Sequence, residues 1–419
     1  MKRSIVPVIV GSCVVLFLCC LCLSILIYAG IFSTLLFPET DTSQQVTADV
    51  PVATPVIIQP TSIVGREDES QVQVSDSTLK ILENTSVPIN DLLDLAQRLE
   101  GKENIPVALE PVSAPLQVGH QDSFWVTNTD IDENFKIEAT LAYVTDHAYF
   151  WIENGIRYKE DDLRDLAETF ENQIYPTNRA LFGSEWSPGV DGDAHMYIVY
   201  ANGLGSSLAG YFSSADEYHP LAHEYSNMHE TFMLNADNLG LDEEYTYGVL
   251  AHEFQHMIHW YQDRNEATWI NEGLSELAAF INGYDIGGFD YLYAQEPDLQ
   301  LNDWPNESQD TAPHYGASFL FIAYFLDRFG TPAIQELVVQ PANGMASVDA
   351  VLEDLNIDND LTGKTLQADD VFLDWVLATY LRAEQIFDGR YSYQTYRDAP
   401  QPDDTDTIRS CPTEILNRD

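Results

Sequence analysis

Two histidines and a glutamate near the middle of the chain have types and spacing that suit metal chemistry, in the order His252-Glu253-x-x-His256. On a helix, residues four apart project from one face, so both imidazoles can reach one metal ion while Glu253 points beside it. Imidazole is a preferred ligand of zinc, and a carboxylate near the metal can move a proton. The segment therefore predicts zinc bound by His252 and His256, with Glu253 as general base.

A third protein ligand is expected downstream, because catalytic zinc takes three protein ligands and leaves its fourth position to water. Glu272 lies sixteen residues after His256, which leaves room for a turn and an antiparallel second helix. Glu276 falls one helical turn further on the same face, where it can hydrogen-bond the far nitrogen of a ligating histidine. The alternative interpretation of this segment is an ordinary amphipathic helix with solvated glutamates.

At these residues the chain resembles the gluzincin metallopeptidases, in which a glutamate on the next helix follows the His-Glu-x-x-His segment, and most of all the hyicolysin family. The run from Asn271 to Glu276 is similar to the Asn-Glu-x-x-Ser-Asp of thermolysin, with Glu in place of the final Asp. The resemblance implies that Glu272 is the third zinc ligand and that Asn271 and Glu276 support the ligands. It also implies a zincin-like, two-lobed metallopeptidase domain with one zinc ion per chain.

The chemistry implied by this set is hydrolysis of peptide bonds in proteins or peptides. A zinc ion would lower the pKa of a bound water and polarise the scissile carbonyl, and Glu253 would carry the proton to the leaving amine. The oxyanion needs a further donor. Aminopeptidase N and its relatives carry a catalytic tyrosine just ahead of a Gly-Ala-Ser similar to residues 316–318, so Tyr315 is the first candidate and His314 the second. Buried aromatic packing is the alternative role for both.

The elements that must position these residues follow an α+β order, with strands first and helices after. A capped helix is expected near Ile89, and a longer helix over residues 161–178. Alternating and continuous apolar runs predict strands from 135 onward and at 148–152, 196–200, 211–213 and 231–235. From 241 to near 383 the pattern is helical. The expected fold is therefore a strand-rich N-terminal lobe and a helical C-terminal lobe.

Asp191 and Asp193 stand in a turn just before the strand predicted at 196–200. Two carboxylates so placed can bind calcium, although aspartates in such positions are more often turn residues. Calcium is therefore a second, weaker cofactor prediction.

The N-terminal segment predicts a membrane anchor. No charged residue occurs over the 33 residues from Ile5 to Phe37, which exceeds the roughly 20 that cross a bilayer. Lys2 and Arg3 precede this run and Glu39 and Asp41 follow it, so the N-terminus is expected in the cytoplasm and the catalytic part outside a single-pass cell-membrane helix. A cleaved signal, which would make the protein secreted, is the alternative.

The composition limits the remaining possibilities. The chain has 419 residues with 19 basic and 67 acidic side chains, a formal charge of −48 that repels phosphate backbones and excludes a nucleic-acid partner. Only Cys411 lies outside the apolar N-terminal run, so no intrachain disulfide is expected in the exported part. The predicted domains are an anchor (1–37), an extended linker (38–75), an N-terminal extension (76–125), the metallopeptidase domain (126–390) and a tail (391–419).

Two other function classes remain open on the sequence alone. One is an exported binding or adhesion protein that keeps the peptidase fold without using it. The other is a zinc hydrolase that acts on a bond other than a peptide. Neither residue types nor spacing reveal whether a peptidase with this site would cut within chains or at their ends, because that depends on pocket shape.

Overall fold

The computed structural model describes residues 80–81, 91–112, 114–305, 310–360 and 362–403. The described residues from 91 onward belong to one compact unit. The predicted anchor at 1–37 and linker at 38–75 lie outside the described residues. Within the described part of the chain, no helix combines the length and apolar character needed to cross a bilayer.

A six-stranded mixed sheet occupies the first half of the described chain, in the spatial order β1-β2-β3-β4-β6-β5. Its central strands β3, β4 and β6 run parallel, and all other neighbours are antiparallel. The strands are β1 Gln121–Asn128, β2 Glu133–Val144, β3 Ala148–Glu153, β4 Met196–Ala201, β5 Gly210–Phe212 and β6 Thr231–Asn235. The short strand β5 thus forms one edge of the sheet.

The predicted strands are confirmed. β2 and β3 form the expected antiparallel pair, and every residue of β4 and β6 is buried, as continuous apolar runs require. β1 was not predicted. It crosses the boundary between residues 125 and 126, where the sequence prediction begins the metallopeptidase domain. At the other end, buried Tyr393 lies beyond the limit at 390. The folded part is therefore longer at both ends than the 126–390 domain of the sequence prediction.

Helices make up most of the remaining regular structure of the described chain. They are α1 Leu92–Glu100, α2 Glu160–Thr169, α3 Tyr175–Phe182, α4 Glu244–Gln262, α5 Thr268–Ile281, α6 Phe289–Gln295, α7 Ala312–Phe329, α8 Thr331–Val339, α9 Met345–Asp354 and α10 Ala368–Leu381. A π-helical turn at Phe170–Ile174 joins α2 to α3, so the helix predicted over 161–178 is continuous but not uniform. From 241 to 383 the regular structure of the described residues consists of helices and a single β-bridge, as predicted.

One apolar core joins the sheet to the helices. Phe150 of β3 and Phe232 of β6 belong to the same buried cluster as Phe254 of α4 and Leu320 of α7. The strand-rich and helical halves that were predicted as two lobes therefore share a continuous core. A second cluster, which contains Trp151, covers the opposite face of the sheet.

Two glycines allow α7 to pack directly against its neighbours. A Cβ at Gly273 would lie 2.7 Å from the carbonyl oxygen of Ser318, and a Cβ at Gly316 would lie 2.1 Å from the carbonyl oxygen of Phe289. Any side chain at either position would therefore push α7 away from α5 or α6. The close approach brings the first turn of α7, which carries Tyr315, next to α4 and α5.

Candidate metal centre

Helix α4 carries His252, Glu253 and His256. Its core-facing side buries Leu250, Phe254 and other apolar residues, and this fixes the rotation of the helix about its axis. The two histidines, which remain partly exposed, therefore turn toward α5. Helix α5 follows after a short connection and presents Glu272 to them, as the spacing of the two segments predicted.

Three side-chain atoms converge between α4 and α5. The Nε2 atoms of His252 and His256 lie 3.0 Å apart, and Oε2 of Glu272 lies 3.3 Å from the first and 3.4 Å from the second. Tetrahedral zinc with bonds of about 2.0–2.2 Å would hold its ligand atoms about 3.3–3.5 Å apart. The donor set and its spacing therefore fit a single zinc ion held by two imidazoles and one carboxylate.

The charges around the three converging atoms favour the ionised form of Glu272, which is the form that binds a metal. Burial alone would raise the pKa of its carboxyl group, but His256 and His252 outweigh burial and lower this pKa to about 2. Burial also lowers the pKa of His252, while Glu272 and Glu276 raise it more, so that the net value is well above the usual one. Because a ligating imidazole must be unprotonated, zinc would displace a proton from His252.

The outward nitrogens of both histidines have fixed partners. Nδ1 of His252 lies 3.3 Å from Oε1 of Glu276, and Nδ1 of His256 lies 3.2 Å from Oδ1 of Asn271 and 3.0 Å from Oγ of Ser275. Such contacts orient an imidazole and select its tautomer. The structure thus brings Glu276 and Asn271 to the positions that the sequence assigned to them.

Ser275 and His259 complete this network, and neither was expected there from the sequence. The hydroxyl of Ser275 also donates to Oε1 of Gln255 at 2.5 Å, and Nδ1 of His259 lies 3.0 Å from Oδ1 of Asn271. Burial lowers the pKa of His259 to about 4, so it is neutral near pH 7. The serine of the Asn-Glu-x-x-Ser run was the available signal, since it lies one turn after Asn271.

Glu253 lies beside the three converging atoms and under the edge strand β5. It is 5% exposed, burial raises the pKa of its carboxyl group, and the backbone N–H of Phe212 donates a hydrogen bond to it. The strand can approach α4 this closely because Gly210 has no side chain, and a Cβ there would lie 3.0 Å from Cγ1 of Val249 and 3.5 Å from Cγ of Glu253. Glu253 is therefore held in place while it still lines a cavity.

Tyr315 and His314 point to different surroundings. The ring of Tyr315 lies 6.3 Å from that of His252, packs against Phe289 and Trp304, and lines the same cavity as Glu253. The ring of His314 is buried 5.9 Å from that of Trp304 and is not among the residues that line this cavity. Of the two candidates for oxyanion donor, the structure places only Tyr315 at the site.

Two cavities flank the converging atoms along β5. One, of about 470 Å³, is lined by His252, Glu253, Gly210 and other residues of the sheet edge and of α4 to α7. The second, of about 300 Å³, is lined by His256, Glu272, Phe212, Trp260 and their neighbours. A chain lying along β5 would therefore pass the metal-binding atoms with space on both sides. This arrangement can position an extended substrate next to a polarising ion and a carboxylate base.

The two aspartates considered for calcium are paired with histidines. Oδ2 of Asp191 lies 2.7 Å from Nδ1 of His229, and Oδ1 of Asp193 lies 2.6 Å from Nδ1 of His195. Among the described residues, only His252, His256 and Glu272 form a group of three metal-binding side chains with ligand atoms this close together. Calcium binding at Asp191 and Asp193 stays a prediction.

A buried carboxylate pair next to these aspartates was not anticipated from the sequence. Glu217 and Glu230 are each 2% exposed, and their carboxyl groups interact directly. Burial and the charge of Glu230 raise the pKa of Glu217, and burial and the charge of Asp191 raise the pKa of Glu230. Nearby Asp216, also buried, has its pKa raised to about 7. No local pattern marks these residues, because they come together only through the loop that leads into β6.

Comparison with known proteins gives a distant relationship. The chain is similar to the neutral metalloprotease ShpI of Staphylococcus hyicus, with 24% identity over 256 residues. The aligned region is 53% of this chain and 55% of the relative, so the chain spans about half the length of the curated relative that it matches. No protein-family model matches the chain. The similarity and the mixed α+β fold fit a metallopeptidase-like domain and imply a metal, for which the His-His-Glu group is the candidate site.

Proposed function

We propose that the protein is a zinc-dependent metallopeptidase of the gluzincin type, most like the hyicolysin family. The observation that carries this proposal is the convergence of His252, His256 and Glu272 at distances that suit one zinc ion. The proposal is supported by buried Glu253 beside them and by a cavity that is lined by Glu253 and His252. The similarity to a neutral metalloprotease points in the same direction.

A zinc ion held by these three side chains would supply Lewis-acid activation of water and of the scissile carbonyl. Glu253 would take the proton of the attacking water and deliver it to the leaving amine, and its raised pKa suits a group that alternates between these roles. The hydroxyl of Tyr315 would donate to the developing oxyanion from the cavity wall. Asn271, Ser275 and Glu276 would hold the two imidazoles in their ligating orientation.

The proposed location is the outer side of a cell membrane. This part of the proposal rests on the uncharged run at Ile5–Phe37 and on the basic residues that precede it. The substrate would then be a peptide or protein outside the cytoplasm.

Metal content and peptide cleavage test the proposal together. In full-length protein we expect one zinc per chain by mass spectrometry, lost in His256→Ala and kept in Glu253→Gln. A peptide library should be cleaved by the zinc-loaded wild type and not by Glu253→Gln. Failure to bind zinc would favour a binding protein with an inherited peptidase fold. Bound zinc without cleavage of any peptide would favour a hydrolase of another bond.

A further inference from the structure

The cavity of about 470 Å³ beside Glu253 has walls that are largely apolar. Its lining includes the apolar side chains of Leu208, Val249, Ile286 and Phe289. Because Glu253 and His252 also line it, a side chain that enters this cavity belongs to a residue next to the bond being cleaved. The volume and the apolar walls suit a long side chain with an aliphatic stem.

Charge is distributed unevenly around this cavity. Asp130 and Asp285 line it and are exposed to solvent, and Glu253 and Glu276 lie deeper. No lysine or arginine is among its lining residues in the described chain. Neither Asp130 nor Asp285 has a described lysine, arginine or histidine as an ion-pair partner. The cavity is thus apolar along its walls and anionic at its outer carboxylates.

Backbone hydrogen bonds hold both outer carboxylates in place. Oδ2 of Asp130 accepts from the N–H of Ser206 at 2.8 Å, and Oδ1 of Asp285 accepts from the N–H of Gly287 at 2.7 Å. In each case the other oxygen accepts no hydrogen bond from the described residues. A carboxylate fixed in this way can bind an incoming cation without first losing side-chain freedom.

Lysine and arginine match this combination better than other residues. Their stems pack along apolar surface while the charged head reaches a polar rim, and the rings of Tyr245, Phe289 and Tyr315 in the cavity wall are favourable neighbours for a cation. An acidic side chain would meet four carboxylates here. The overall charge of −48 adds to this discrimination by attracting basic substrates.

We infer that this cavity selects a lysine or arginine side chain adjacent to the scissile bond, with Asp130 and Asp285 as the residues that recognise its charge. The inference rests on the proposed peptidase function and names the substrate class of the same site. Two partly solvated ion pairs are expected to give a preference of about tenfold over an uncharged side chain of equal size.

A matched peptide series tests the inference on zinc-loaded, full-length protein. The fluorogenic peptides differ at one position only, the residue immediately before or immediately after the scissile bond. This residue is arginine, citrulline, lysine, leucine or glutamate. Citrulline has the shape of arginine without its charge. We expect kcat/KM for arginine to exceed that for citrulline by about tenfold at low salt, and the ratio to fall as salt is added.

Variants assign the preference to the two aspartates. Asp130→Asn and Asp285→Asn should each reduce the arginine-to-citrulline ratio, and the double variant should bring it near one. Asp146→Asn, which changes an exposed aspartate in the turn between β2 and β3, should leave the ratio unchanged. Equal cleavage of the arginine and citrulline peptides by the wild type, or a ratio that survives in the double variant, would overturn the inference alone. Cleavage of none of the peptides would overturn the proposed function and this inference with it.

Discussion

Separate replacement of Glu272 and Glu276 by alanine should distinguish a zinc ligand from a residue that orients one. Oε2 of Glu272 faces both inward imidazole nitrogens, so Glu272→Ala removes one of three protein ligands. Oε1 of Glu276 faces only the outward nitrogen of His252, at 3.3 Å. Glu276→Ala leaves all three ligands but frees one imidazole to rotate.

The expected magnitudes differ accordingly. Loss of a partner that orients a ligand weakens metal affinity by about 10- to 100-fold, which corresponds to about 1.4–2.7 kcal/mol. Loss of Glu272 itself should exceed this, because the two remaining imidazoles cannot complete the coordination that zinc requires. The two side chains lie on the same helix and are only 14% and 6% exposed, so the difference between them reflects their contacts more than their depth.

Competition with a chromophoric zinc chelator near neutral pH measures both affinities on full-length protein. Glu353→Ala, which changes an exposed glutamate on α9, is the matched control and should bind zinc as the wild type does. Circular dichroism of each variant checks that the helices remain formed. Stronger loss in Glu276→Ala than in Glu272→Ala would exchange the two assignments. Wild-type affinity in both variants would refute the metal centre as described.

The other predictions concern the proposed proton carrier, the proposed oxyanion donor and a buried acid pair. Glu253→Gln should keep zinc and lose at least about 100-fold in kcat, and kcat within a few-fold of the wild type would remove Glu253 from this role. Tyr315→Phe should lower kcat by about 10- to 100-fold without changing zinc affinity, whereas His314→Ala should not, and the opposite result would favour His314. Burial raises the pKa of Glu217 and Glu230, so the folded protein binds their protons more tightly than the unfolded chain does and the free energy of unfolding falls as pH rises above about 4.5. Glu217→Gln should therefore lose less stability than the wild type between about pH 5 and about pH 8, as measured by urea unfolding at saturating zinc, and parallel pH profiles would contradict this reasoning.

The convergence of the candidate metal-binding residues could be predicted because their arrangement is mostly local. The four-residue spacing of His252 and His256 fixes a shared helix face, and the spacing of Glu272 and Glu276 does the same on the next helix. Only the antiparallel return of α5 onto α4 is a tertiary feature. That return was expected from the resemblance of the two segments to those of the gluzincins. The buried strands β4 and β6 could also be predicted from the sequence, since continuous apolar runs of that length fill both faces of a central strand.

Strand β1 shows where such local reasoning fails. Its sequence buries only Phe124 and Val126, while charged and polar residues occupy most other positions. The strand is specified by its partner β2, with which all eight of its residues pair. Two buried residues are too few to identify a strand from its own sequence. The sequence could not decide between Tyr315 and His314 for the same reason, because the answer depends on how α7 is rotated against α5 and α6.

The cavity that would select the substrate lies furthest from what a sequence pattern can reveal. Asp130 follows β1 and Asp285 follows α5, so the two carboxylates come from the strand-rich and the helical parts of the chain and meet at one cavity only through the fold. Neither belongs to a motif, and in an anionic chain neither stands out among 67 acidic residues. What distinguishes them is their position beside apolar walls and next to Glu253, with fixed backbone partners and no described cation nearby. The residues proposed for the chemistry are therefore set by short-range spacing, whereas those proposed for selectivity are brought together by long-range packing.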